Sequence, residues 1–164
     1  MGLLGLYFQP TGRLTRGRFW FGFLGLLVVE AAFTAWVGMS LGHDFLDPAA
    51  SPFTKAGFQL SLLINLIFVF PLFVIFTKRC HDRNKSAIWA LPFPVIQILA
   101  IAAVVVGIVP VDIPKDAAAV SPLAGIISLL WLVVFAWVLI ELGMLRGTRG
   151  TNRFGADPLA GRAA

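Results

Sequence analysis

Phe58 to Trp89 reads FQLSLLINLIFVFPLFVIFTKRCHDRNKSAIW. No charged residue occurs from Phe58 to Phe76, whereas Lys78 to Ser86 carries five charged side chains in nine residues. Crossing the ~30 Å hydrocarbon layer takes about 20 mostly apolar residues as a helix, which satisfies every backbone N–H and C=O within the segment. The first part therefore spans a membrane, and the second meets water.

Three further apolar blocks flank this one: Phe19 to Leu41, Ala87 to Val109 and Leu123 to Leu145. Together the four predict an all-α integral membrane protein, a four-helix transmembrane bundle in a single domain covering residues 1–164, with a tail from 146 to 164. Composition agrees: of 164 residues, 59% are hydrophobic and 13% charged, against roughly a quarter charged in soluble domains. Mean hydropathy is +0.88. One cysteine, Cys80, excludes a disulfide scaffold, and the apolar content excludes a disordered chain.

Lys and Arg are retained on the cytoplasmic side of short loops. Eleven of the 13 lie at the two chain ends and in the Lys78–Ser86 run, while Lys55 and Lys115 alone lie on the other side. Both termini and the middle loop are thus expected in the cytoplasm. The His43–Lys55 and Pro110–Asp116 stretches are expected as outer loops. A cleaved signal peptide is disfavoured, since the first block exceeds a ~7–15 residue signal core and contains Glu30. The basic residues sit at span ends, where topology accounts for them, so no nucleic-acid partner is expected. Leu3 to Phe8 is too short to span and is expected in the headgroup layer.

Polar groups in hydrocarbon are costly, and each requires an account. Counted from the nearest basic residue, Glu30 and Gln97 lie about 18 Å deep and Asn65 about 20 Å. Three helices thus place a carboxyl and two amides at one level. This layer either cross-bonds the bundle around a neutral Glu30, or uses Glu30 to bind and release a proton or cation. Glu141 is shallower and within reach of basic residues. Gly22, Gly25 and Gly143 allow close helix approach. Pro71, Pro92 and Pro94 are expected to distort their helices.

Three motifs fall at the basic side: Gly12-Arg13-Leu14-Thr15-Arg16-Gly17-Arg18-Phe19-Trp20, then Arg79-Cys80-His81-Asp82-Arg83-Asn84-Lys85-Ser86 followed by Trp89, and Asn152-Arg153-Phe154-Gly155-Ala156-Asp157-Pro158. In order and spacing this set resembles the domain of unknown function 805 family, the YhaH-like bacterial inner membrane proteins. The chain departs from that pattern at Cys80 and Ala87, where the family usually has leucine and glycine. The resemblance implies a small multi-pass protein of the bacterial inner membrane and supplies no activity.

Cys80, His81 and Asp82 are adjacent, but neighbouring side chains diverge, and catalytic sets are assembled from separated positions. No catalytic residue, metal site or cofactor is expected, His43 and His81 lying on opposite sides of the membrane. Ser86 is placed to cap the third span, Asp82 to pair with an arginine, and Asn152 with Gly155 to form a turn. Arg13, Arg16, Arg79, His81, Asp82, Asn152, Arg153 and Asp157 form a basic collar. It is expected to bind anionic lipid headgroups, at about 1 kcal/mol per basic residue, or a protein partner, including a second copy. A non-enzymatic membrane protein is the leading expectation; the alternative is a small proton- or cation-coupled transporter using Glu30.

Overall fold

The computed structural model describes residues 2–40, 55–106 and 122–160. The chain forms α1 (Leu3–Phe8), α2 (Arg16–Ser40), α3 (Lys55–Asp82), a 3-10 turn (Ala87–Ala90), α4 (Pro92–Val105), α5 (Pro122–Val138) and a closing π-helical turn (Leu139–Met144). No β-strand occurs among the described residues. Four helical stretches are long and apolar enough to cross a membrane: Arg16–Ser40, Leu62–Asp82, Ala87–Val105 and Gly125–Met144. The four expected spans are present. Most of both outer loops, and the third span beyond Val106, lie outside the described residues.

The basic run departs from expectation. It begins as helix, because nothing in Thr77–Asp82 breaks one, and α3 reaches 28 residues, about 42 Å by the helical rise. That exceeds the hydrocarbon thickness, so the helix carries its basic turn beyond the apolar layer. Asn84 stops it with φ of 59°, a left-handed conformation that Asn tolerates. Lys85 N–H then returns to Cys80 C=O at 2.8 Å and Asn84 N–H to His81 C=O at 3.0 Å, the paired bonds of a Schellman cap.

Proline acts differently at its three positions. Pro71 lies inside the unbroken α3. Pro92 opens α4, with Pro94 two residues on, where first-turn N–H groups have no intrahelical acceptor to lose. The expected distortion is therefore the break between the 3-10 turn and α4. Ser86 stands at the N-cap of that turn, but its side chain makes no capping bond.

Consecutive helices are neighbours: α2 packs on α3, α3 on α4, α4 on α5, and the π-turn returns to α2 and α3. The best-buried core lies towards this closed, basic end, where Phe19, Phe23, Phe76 and Phe93 interlock with ring centroids 5.2–6.1 Å apart. Phe21, Val28, Ile67, Ile126, Leu129 and Val133 are exposed, the surface that lipid covers in a spanning bundle. The expected headgroup segment is part of the packing. Leu6 of α1 is buried and meets Gly22 of α2, Tyr7 donates to Gly22 C=O at 3.2 Å, and the buried Lys78 ammonium donates to the carbonyls of Gly5 and Leu6. Burial raises the Tyr7 hydroxyl above its ordinary pKa.

Candidate functional site

The last turn of α3 places Arg79 and Asp82 three residues apart on one helix face. Both are buried, Arg79 with no exposed surface. Arg79 donates to the Asp82 carboxylate, and Arg13 Nε donates to the other carboxylate oxygen at 3.1 Å. One carboxylate thus ties α3 to the segment preceding α2. The Asp82 backbone carbonyl also accepts from Thr148 N–H at 2.8 Å and from the Thr148 hydroxyl at 2.9 Å. Arg13 continues to Thr148, Gly150 and Gly155 carbonyls. Asp82 is therefore the hub at which three parts of the chain meet.

The tail folds against this hub. Asn152 donates to His81 C=O and to Thr148 Oγ1, both at 2.9 Å. Its own backbone pairs with Gly155 in a tight turn, with Gly155 at φ of 135°, open to glycine and strained for other residues. Phe154 stacks on the His81 ring at 3.9 Å between centroids, and Arg153 reaches Asn84 C=O at 3.1 Å. Asp157 accepts from Gly150 and Leu159 N–H groups, which hold its carboxyl below the usual carboxylate range. The adjacent Cys80, His81 and Asp82 face three environments: Cys80 in the core, His81 on Phe154, Asp82 on the arginines.

A helix leaves its last carbonyls without intrahelical partners. The π-turn ending the fourth span exposes several, and basic or indole donors take them. Arg79 donates to Leu142 C=O at 2.6 Å and to Leu145 C=O. Arg16 reaches Met144 C=O at 3.1 Å, and Trp20 Nε1 reaches Gly143 C=O at 3.1 Å. Cations at a helix C-terminus also complement its dipole. Glu141, on the same turn, forms ion pairs with Lys85 and with Arg83 Nε, the latter at 2.9 Å.

Beside the hub lies a cavity of about 370 Å³, lined among others by Thr15, Arg16, Arg79, Asp82, Arg146, Arg149 and Asp157. Of the eight expected collar residues, Arg16, Arg79, Asp82 and Asp157 line it, while Arg13, His81, Asn152 and Arg153 join the contacts between the end of α3 and the tail. Each of the eight makes at least one bond within the protein, and Arg13, Arg79, Asp82 and Asn152 hold the fold. Arg146 and Arg149 were outside that expected set, yet their side chains make no hydrogen bond or ion pair among the described residues and line the cavity. Thr148 and Gly147 were also missed, since neither residue type signals a role without its neighbours.

The expected mid-depth layer forms in part. Gln97 Nε2 donates to Asn65 Oδ1 at 3.1 Å, and Trp131 Nε1 donates to Gln97 Oε1 at 2.8 Å. Trp131 joins the layer from the fourth span. It lies fifteen residues before Arg146, about 22 Å deep, so the same depth count extended to indoles finds it. Glu30 makes no hydrogen bond or ion pair among the described residues and is only half-buried. The layer is thus α3, α4 and α5 without α2. Trp131→Phe is expected to lower stability by about 0.6 kcal/mol, the usual size of an interhelical polar bond in a membrane. Thermal unfolding in detergent checks this.

The fold and the site define a four-span membrane protein whose basic end is locked by an aspartate-centred network. Residues 7–156 match the family described as Protein of unknown function (DUF805). The chain belongs to that family, as its three motifs anticipated. No curated protein and no solved structure matches it.

Proposed function

We propose that this is a non-enzymatic protein of the bacterial inner membrane, with its basic end in the cytoplasm, and that this end binds anionic headgroups of the inner leaflet. The supporting observation is the division of labour among its charges. Asp82 and Glu141 are neutralised by paired cations, which leaves the exposed Arg16, Arg18, Arg146 and Arg149 as net positive charge at one end of an apolar bundle. Basic residues at that depth attract anionic lipid. Positive residues at the span ends support the orientation. The fully buried Cys80 gives no accessible thiol for nucleophilic chemistry.

Arg16→Gln combined with Arg146→Gln and Arg149→Gln is expected to reduce retained anionic lipid about tenfold or more, from roughly 1 kcal/mol per basic residue. Native mass spectrometry of the purified protein reads this directly. Unchanged lipid retention in a folded triple variant would sink the proposal.

A second reading rests on Glu30, a carboxyl within a span that has no partner among the described residues. Such a group is a candidate for proton or cation transfer. Flux in proteoliposomes that vanishes in Glu30→Gln supports a transporter. No flux above empty liposomes removes that reading.

A further inference from the structure

Building on the headgroup-binding reading, we infer that the collar cavity is a site for a phosphate dianion, carried as a phosphomonoester headgroup or free in solution. The cavity's size, about 370 Å³, is at the small end of the ~300–1,000 Å³ range of ligand pockets. It is too small for a folded partner and adequate for a phosphate with its first ester group.

The charges lining it select the ligand. Four guanidinium groups (Arg16, Arg79, Arg146 and Arg149) face two carboxylates, Asp82 and Asp157. Both carboxylates keep their charge, with their oxygens already occupied by other donors. Asp82 is held by Arg13 and Arg79, and both Asp157 oxygens accept backbone N–H groups, from Gly150 and Leu159. The lining itself retains a surplus of two positive charges and Arg13 on Asp82 adds a third, a field that favours a dianion over a singly charged phosphodiester.

Donor availability gives the same answer independently of net charge. Arg79 forms the floor, its donors directed to Asp82 and to the carbonyls of Leu14, Leu142 and Leu145. Arg16 gives one bond, to Met144 C=O. Arg146 and Arg149 give none among the described residues. Thr15 accepts from Arg18 N–H at 3.4 Å, and its hydroxyl proton remains available. Planar guanidinium forks pair two N–H groups with two phosphate oxygens. The forks of Arg146 and Arg149, the remaining donors of Arg16 and a hydroxyl line one space, and they match a tetrahedral group whose three terminal oxygens share two charges. A carboxylate, with two oxygens, would leave donors unused.

The test is isothermal titration of the full-length protein in neutral detergent with short-chain phosphatidic acid, phosphatidylglycerol, phosphatidylcholine and inorganic phosphate. The expected result is one site that binds phosphatidic acid about fivefold or more tightly than phosphatidylglycerol, as one extra charge near basic residues provides. Arg146→Gln with Arg149→Gln should abolish the preference without lowering the melting temperature, because neither side chain holds the network. Inorganic phosphate that competes at similar affinity assigns the site to a soluble phosphate; phosphate that fails to compete assigns it to the lipid. Equal binding of both anionic lipids overturns the dianion site and leaves the headgroup-binding reading standing. Anionic lipids binding no better than phosphatidylcholine overturns both.

Discussion

Asp82→Ala is expected to destabilise the protein by about 3–5 kcal/mol, the cost of stranding a buried charge by removing its partner. Arg79 has no exposed surface, and Asp82 provides the one carboxylate within its ion-pair reach among the described residues. Arg13 loses the same partner. The two guanidinium groups would then repel each other where water does not screen them. The damage should extend to the tail, because Arg13 bridges from Asp82 to the carbonyls of Thr148, Gly150 and Gly155. Thermal unfolding in detergent measures the loss, and faster trypsin cleavage at Arg146, Arg149 and Arg153 reports release of the tail. A variant within about 0.5 kcal/mol of wild type, the range of ordinary surface substitutions, would show that the pair does not hold the collar.

Gly147→Ala should rank next. A Cβ built at Gly147 falls 1.9 Å from Asp82 Oδ2 and 2.5 Å from its Cγ, closer than any real contact. The carboxylate cannot yield without leaving Arg13 and Arg79, so the tail must shift instead. Overpacking of this kind costs about 1–3 kcal/mol. Gly17→Ala, where nothing lies within 4 Å of the added atom, is the control and should be near neutral apart from helix propensity. The two effects are coupled, because Asp82→Ala removes the atoms that Gly147→Ala meets. In the Asp82→Ala background the glycine substitution should lose most of its cost, and a double-mutant cycle reads the difference. Strict additivity would mean that the tail is not seated on Asp82.

These two expectations give the family motifs a physical meaning. Arg13, the Arg79–Asp82 pair and Asn152 stand far apart in sequence yet meet in one network, where they satisfy the Asp82 carboxylate and the carbonyls left open at the end of α3, by the π-turn and along the tail. Where the collar is polar and buried, its donors and acceptors must be matched, since an unpaired buried group costs more than a made bond gains. The residues that look most like ligand-binding arginines are therefore mostly structural. The less distinctive Arg146 and Arg149 have all their donors to spare among the described residues.

The sequence by itself determined the four spans and their number, because the hydrocarbon layer imposes length and apolarity on each segment independently of its neighbours. It also determined where the basic end lies, and it identified the depth shared by Asn65 and Gln97, since a helix has a fixed rise. The turn at Asn152–Gly155 was legible for the same local reason. Tertiary structure alone decided that α3 carries the basic run as helix, that Lys78 and α1 are packed together, and that Trp131 rather than Glu30 completes the polar layer. It alone made Asp82 the hub and Gly147 the position that must stay bare. Those outcomes depend on which side chains meet across helices, and the apolar spans are too uniform in composition to encode their facing directions. Pairing in the collar is settled only when three distant segments arrive at one place, which no local pattern records.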